Sequence, residues 1–153
     1  FGQIIEPAIT RGATSALGTS IDPGDIRSVR TPNLDLDCVY GNGPEAAPHL
    51  YSQKHNGFML FGREENEFDL ARNCDGRALI GDPRNDENII VSQIQGAFVS
   101  LHNILMSRSD EVREAVSQCA QMGIRKEVWD TIVPKKQFGF EEVRRFIRLH
   151  YQW

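Results

Sequence analysis

A cation and a carboxylate three residues apart are the side chains best spaced for chemistry. Arg84 and Glu87 share one helix face at that separation. They follow Asp82-Pro83, a strong helix start: Asp accepts free amide N–H groups, and Pro at the first position loses no needed donor. The positive end of a helix dipole suits Asp86 and Glu87 but disfavours Arg84. A guanidinium there is either a solvated surface group or one fixed where negative charge develops during a reaction. Glu87 either complements the dipole, pairs with Arg84 or does chemistry of its own. A second constellation lies at residues 31–37, where oxygen-bearing residues alternate along a turn. Such donors converge on a hard cation such as Ca²⁺, or they close an Asx-type turn with no ion.

The remaining reactive types are less pointed. His49 and His55 sit beside Gly and Pro and are expected at the surface. His102, next to Asn103, is expected to hydrogen-bond within the fold, and His150 to pack on an apolar helix face. Cys38, Cys74 and Cys119 are an odd number without a Cys-x-x-Cys pair. That argues for three thiols rather than a disulfide framework or a zinc site.

The elements that must position these groups change character near residue 82. Over residues 1–82, Gly12, Gly18, Pro23-Gly24, Pro32, Gly41, Gly43, Pro44 and Pro48 punctuate a loop-rich stretch. Residues 1–10 allow one or two helical turns that Pro7 should break or kink. Phe58 to Phe61 is a short apolar run, and Cys74 to Gly81 reads as a turn plus an extended segment. Residues 83–153 read as helical. From Asp82, apolar residues recur at Ile90, Ile94, Ala97, Leu101 and Ile104, flanked by Val91, Phe98 and Leu105, which predicts a helix buried on much of its circumference. A second helix is expected from about Asp110 to Met122, stopped by Gly123. A third starts near Gly139 and carries Phe140, Val143, Phe146, Ile147, His150 and Tyr151 on one face. It reaches Trp153 without a capping residue, as in a chain cut inside a larger fold or a terminal helix docked on its own domain. The class is mainly α with long loops.

Composition narrows the partners. The 153 residues suit one compact domain or a piece of a larger one. A formal charge of −4 argues against nucleic acid or an anionic membrane surface. No apolar run is expected to reach the ~18 residues that span a bilayer. The chain opens at Phe1 without a secretory pattern, which suggests a processed or truncated start and leaves the compartment open.

Three segments, in order, resemble the animal-type haem peroxidase family: FGQIIEPAIT (residues 1–10), RTPNLDLDCVYG (residues 30–41) and GRALIGDPRNDEN (residues 76–88), the last running on to His102-Asn103. HYQW (residues 150–153) is similar to part of the family's next helix, cut in mid-segment. The resemblance spans nearly the whole chain and implies the distal-side portion of a much longer peroxidase-like domain. It implies that Arg84 stabilises charge on peroxide over a haem iron, that Gln3 lines the distal site, and that Glu6 and Glu87 match carboxylates that some members link to haem. It makes Thr31, the Asn33 carbonyl, Asp35 and Asp37 calcium ligands. The family's distal histidine and a further calcium aspartate fall at Pro7 and Ala8, where this chain departs from the pattern. Glu6, beside the vacant imidazole position, is either an acid–base substitute or an ordinary salt-bridged carboxylate. The proximal iron ligand would lie beyond this chain.

The expected function is therefore a haem-dependent oxidoreductase of the peroxidase kind. It would use hydrogen peroxide or oxygen on a small-molecule substrate, as a fragment or subunit in an oligomer. A second chain, or self-association, would supply the proximal half of the haem pocket. The alternative is a peroxidase-like scaffold without turnover, kept for binding.

Overall fold

A computed structural model of the chain describes residues 2–10, 22, 30–31, 33–120 and 139–153, the side chains of 119 and 120 excepted. The turn signals at Gly12, Gly18, Pro23-Gly24 and Pro32, the helix stop at Gly123, and Phe1 fall outside those residues, as does the Cys119 side chain. The described architecture is mainly helical: α1 (Gly2–Ile9), a single turn α2 (Asp37–Tyr40), α3 (Ile89–Ser107), α4 (Ser109–Ala120) and α5 (Phe140–Gln152). Residues 50–82 carry only isolated antiparallel bridges, Tyr51 with Met59, Phe61 with Leu70 and Arg72 with Ala78.

Helix α1 runs through Pro7 instead of breaking. Only one bond is forgone, because the missing N–H would have reached back to Gln3 at the helix start. Pro7 and Ala8 are buried, and Ala8 joins the core beside Leu36, Cys38, Val39 and Tyr40. Across that core α3 packs on α5, on α1 and on α2. Gly81 shows how tightly the next segment docks: a Cβ there would come within 2.7 Å of the Asp37 and Cys38 carbonyl oxygens. No side chain fits, so the chain must be glycine where it crosses α2.

Two expectations about α3 are overturned. The long helix does not begin at Asp82. Asp82 instead accepts from the Arg84 amide and caps a short 3-10 turn, Pro83–Asp86. Asn88 then sits in extended backbone, accepts from the Val91 N–H and starts α3 afresh at Ile89. Two successive caps divide the segment, so Asp86 and Glu87 precede α3 rather than fill its first turn. The buried face is also not the apolar stripe. Val91, Ser92, Gln95, Gly96, Val99 and His102 face inward, while Ile90 is 74% exposed and Ile104 49% exposed. Of the inward polar groups, Gln95 accepts from Asn85 and His102 bridges Tyr40 and the Gly57 carbonyl, so the buried side of the helix carries polar contacts beside Val91 and Val99. At 19 residues without Asp, Glu, Lys or Arg, α3 is long and apolar enough to cross a membrane by length and composition, contrary to the reading of the sequence.

Helix α5 agrees with expectation in its start and most of its face. Gly139 is its N-cap, and Glu142 Oε2 accepts from the Gly139 N–H at 2.9 Å. Val143 and Ile147 are fully buried. His150 is exposed rather than packed, with its ring 4.2 Å from that of Phe146. His49 and His55 are exposed, and Cys38 (buried) and Cys74 (exposed) are free thiols, as expected.

Candidate functional site

The four side chains expected to face a cofactor come from two segments about 80 positions apart in the sequence and meet on one face. Gln3 Nε2 donates to Glu87 Oε2 at 3.3 Å, and Asn88 Nδ2 donates to Gln3 Oε1 at 3.3 Å. Arg84 Nη1 donates to Glu6 Oε1 at 2.7 Å. The face is open: Gln3, Glu6 and Glu87 are exposed and Arg84 is half-buried. Helix α1 and the 3-10 turn make this possible by packing side by side. Arg72 anchors the turn from the other side, gripping both Asp86 oxygens at 2.6 and 2.8 Å.

Arg84 is saturated by its own chain. Its Nε and Nη2 grip Asp82 at 3.0 and 2.8 Å, Nη1 reaches Glu6 Oε1 and the Thr10 hydroxyl, and Nη2 also donates to the Thr10 carbonyl. A guanidinium has five N–H donors, and all five are engaged. The Asp82 hydrogen bonds hold the guanidinium above its ordinary range. Burial pushes the Asp82 carboxyl up, but hydrogen bonds from Arg84 and the nearby Arg84 and Arg30 charges outweigh it, leaving the group below its usual value. To act on a bound anion, Arg84 must release Glu6 or Thr10. Sequence reading gave Asp82 only a capping role and missed Thr10 and Asn88. Asp82 two residues before Arg84 was the available signal, whereas Thr10 is brought in by folding alone.

The calcium set also converges, but on donors of the chain. Thr31 Oγ1 donates to Asp35 Oδ2 at 2.6 Å, and Gln152 Nε2 donates to the Asn33 carbonyl at 2.5 Å. Arg148 donates through Nε to the Asp35 carbonyl and through Nη2 to Asp37 Oδ1 at 3.2 Å, while Arg30 lies 3.7 Å from Asp37 Oδ2. Burial and the neighbouring Asp35 carboxylate push the Asp37 carboxyl up, and Arg30, Arg148 and Arg144 only partly offset them. Leu34 and Leu36 both hold positive φ, 51° and 60°. That costs an L-residue roughly 1–2 kcal/mol each, so the loop is held in shape by its tethers. Calcium needs roughly six to eight oxygens directed at one centre. As arranged, this set does not fit the ion: the Asn33 carbonyl, Asp35 Oδ2 and Asp37 Oδ1 already accept from Gln152, Thr31 and Arg148, and the Arg30 charge faces the other Asp37 oxygen at 3.7 Å. Nor does any group of three or more His, Cys, Asp or Glu among the described residues suit a metal.

Behind both constellations lies a buried polar layer that sequence reading did not anticipate, except at His102. Asn85 Nδ2 donates to Gln95 Oε1 at 2.7 Å with both side chains fully buried. His102 Nε2 lies 2.8 Å from the Gly57 carbonyl, and a carbonyl can only accept. The proton is therefore on Nε2, and Nδ1 accepts from the Tyr40 hydroxyl at 3.2 Å. Burial holds His102 below its ordinary 6.5, with Gly57 opposing and Arg144 adding to the shift. His102 is thus a satisfied core residue rather than a ligand.

No family model, curated protein or solved structure matches this chain.

Proposed function

We propose that the chain forms one wall of a haem pocket in a peroxidase-like oxidoreductase, with Gln3, Glu6, Arg84 and Glu87 facing the cofactor's open side. One observation carries the reading. Residues about 80 positions apart in the sequence, which the resemblance assigns to one site, are bonded to each other across α1 and the 3-10 turn. The residues fit a wall and not a whole pocket. Among the described residues His49, His55 and His150 are exposed and dispersed, and His102 is committed to Tyr40 and Gly57. The proximal ligand would come from outside these 153 residues, whether from a further stretch of the same polypeptide, a second chain or a second copy. The uncharged face of α3, with Ile89 81% and Ile90 74% exposed right after Glu87, supports such a covering partner.

Bound haem would supply the redox chemistry of peroxide- or oxygen-driven oxidation. The chain's own residues bind, orient and stabilise. Arg84, released from Glu6 or Thr10, offers Nη1 to negative charge developing on an oxygen substrate, a contribution that grows as the partner excludes water. The Gln3 amide orients that substrate. With Pro7 in place of an imidazole, Glu6 Oε1 is the titratable oxygen of α1 able to take up a proton, and a Glu6→Gln variant with undiminished turnover would remove that role.

A second reading, a scaffold without turnover, is favoured by the full engagement of Arg84 and by the buried Pro7. Titration with hemin, alone and with any co-purifying chain, separates the two. A Soret band that shifts in Arg84→Met and accompanies peroxide-dependent oxidation of a chromogenic donor supports the enzyme. A band without oxidation supports the scaffold, and no band under either condition defeats the haem reading.

A further inference from the structure

We infer that the 31–37 loop is closed by an internal cation, the Arg148 guanidinium, which with the Gln152 amide takes two of the oxygens a calcium ion would otherwise gather, the Asn33 carbonyl and Asp37 Oδ1, together with neighbouring carbonyls of the loop. The inference does not depend on haem. Arg148 and Gln152 lie four residues apart in the last turns of α5 and so project from one side of it. Between them they bind the carbonyls of Asn33, Leu34 and Asp35 and one oxygen of the Asp37 carboxylate. Arg30 approaches the other Asp37 oxygen, and Thr31 takes one oxygen of Asp35. Among these oxygens Asp35 Oδ1 is buried without a hydrogen-bond partner.

A divalent ion and a guanidinium solve the same problem differently. The ion draws oxygens inward to a point, whereas the planar fork spreads its donors toward several acceptors and demands no spherical cage. The loop's left-handed Leu34 and Leu36 turn neighbouring carbonyls toward α5, which fits the fork. Ala8, buried in the core, adds no carboxylate that would raise the demand for a second positive charge. The clamp fastens the last helix to the loop entering α2 across more than 110 residues of chain. Order in the loop then depends on α5 being docked, not on metal supply.

Thermal unfolding and terbium luminescence of the intact chain test this. The wild-type midpoint should be the same in excess EGTA and in millimolar calcium, with no sensitised terbium emission at micromolar metal. Arg148→Met should lower the midpoint in EGTA by about 5 °C, and calcium should recover part of that loss by taking the vacated oxygens. A wild-type midpoint that rises with calcium, or saturable terbium emission, would overturn the inference. So would an Arg148→Met variant with an unchanged midpoint or with no response to calcium. If that variant does not fold, the wild-type calcium and terbium titrations decide alone.

Discussion

The face where α1 meets the 3-10 turn and the core where α3 meets α5 are joined by different forces. At the first, Arg84, Glu6, Gln3, Glu87 and Asp82 form a polar seam that is half open to solvent. At the second, Tyr40, Phe140 and His102 meet edge to face with centroids 5.4 to 6.1 Å apart over the buried Val143 and Ile147. The outer contacts of the seam, from Arg84 to Glu6 and from Gln3 to Glu87, can open and re-form around a ligand at small cost, because exposed ion pairs contribute little. The aromatic core cannot, because close packing transmits every lost contact. Adaptable groups thus sit on a fixed support, an arrangement suited to a binding wall.

The contrast can be broken or sharpened by substitution. Ile147→Ala should destabilise most, by roughly 2–5 kcal/mol in urea unfolding, since it opens a cavity in the packed core. Arg84→Met should come next, at roughly 2 kcal/mol, chiefly because Asp82, nearly buried, loses its bidentate partner. A loss as large as that of Ile147→Ala would show that the seam is part of the rigid support.

Acid should separate the regions by a different route. The folded state keeps His102 below 6.5, so on acidification the unfolded chain takes up the proton first. The contribution is complete above about pH 6.5 and is lost as pH falls toward the folded value, with a slope of at most ~1.4 kcal/mol per pH unit. Urea midpoints between pH 7.5 and 5 should show this decline, and His102→Gln should flatten it. The smallest effect belongs to Glu6→Gln, under about 1 kcal/mol because Glu6 is more than half exposed. Molar salt should shrink even that, while leaving the Ile147→Ala loss unchanged.

Legibility followed the range of the interaction. Gly139 starting α5 and the surface histidines at 49 and 55 rest on neighbouring residues, and they were readable. The entry into α3 was misread because Asp82-Pro83 and Asn88 are both valid local caps, and the sequence does not rank them. Likewise Ile90, Ile94, Ala97, Leu101 and Ile104 mark an apolar face truthfully without saying whether this chain covers it. The candidate residues Gln3, Glu6, Arg84 and Glu87 were picked out by their motif, but their partners Thr10 and Asn88, and the clamp residues Arg148 and Gln152, left no local trace.

By itself, then, the sequence determined the mainly helical class and the start of α5 at Gly139, because these depend on backbone bonds and side chains within a few positions. The tertiary structure alone decided which face of α3 turns inward, that Arg84 spends its donors on Asp82, Glu6 and Thr10, and that Arg148 takes the oxygens of the 31–37 loop. Those outcomes depend on groups dozens of residues apart competing for the same partners, and only the closed chain settles such a competition.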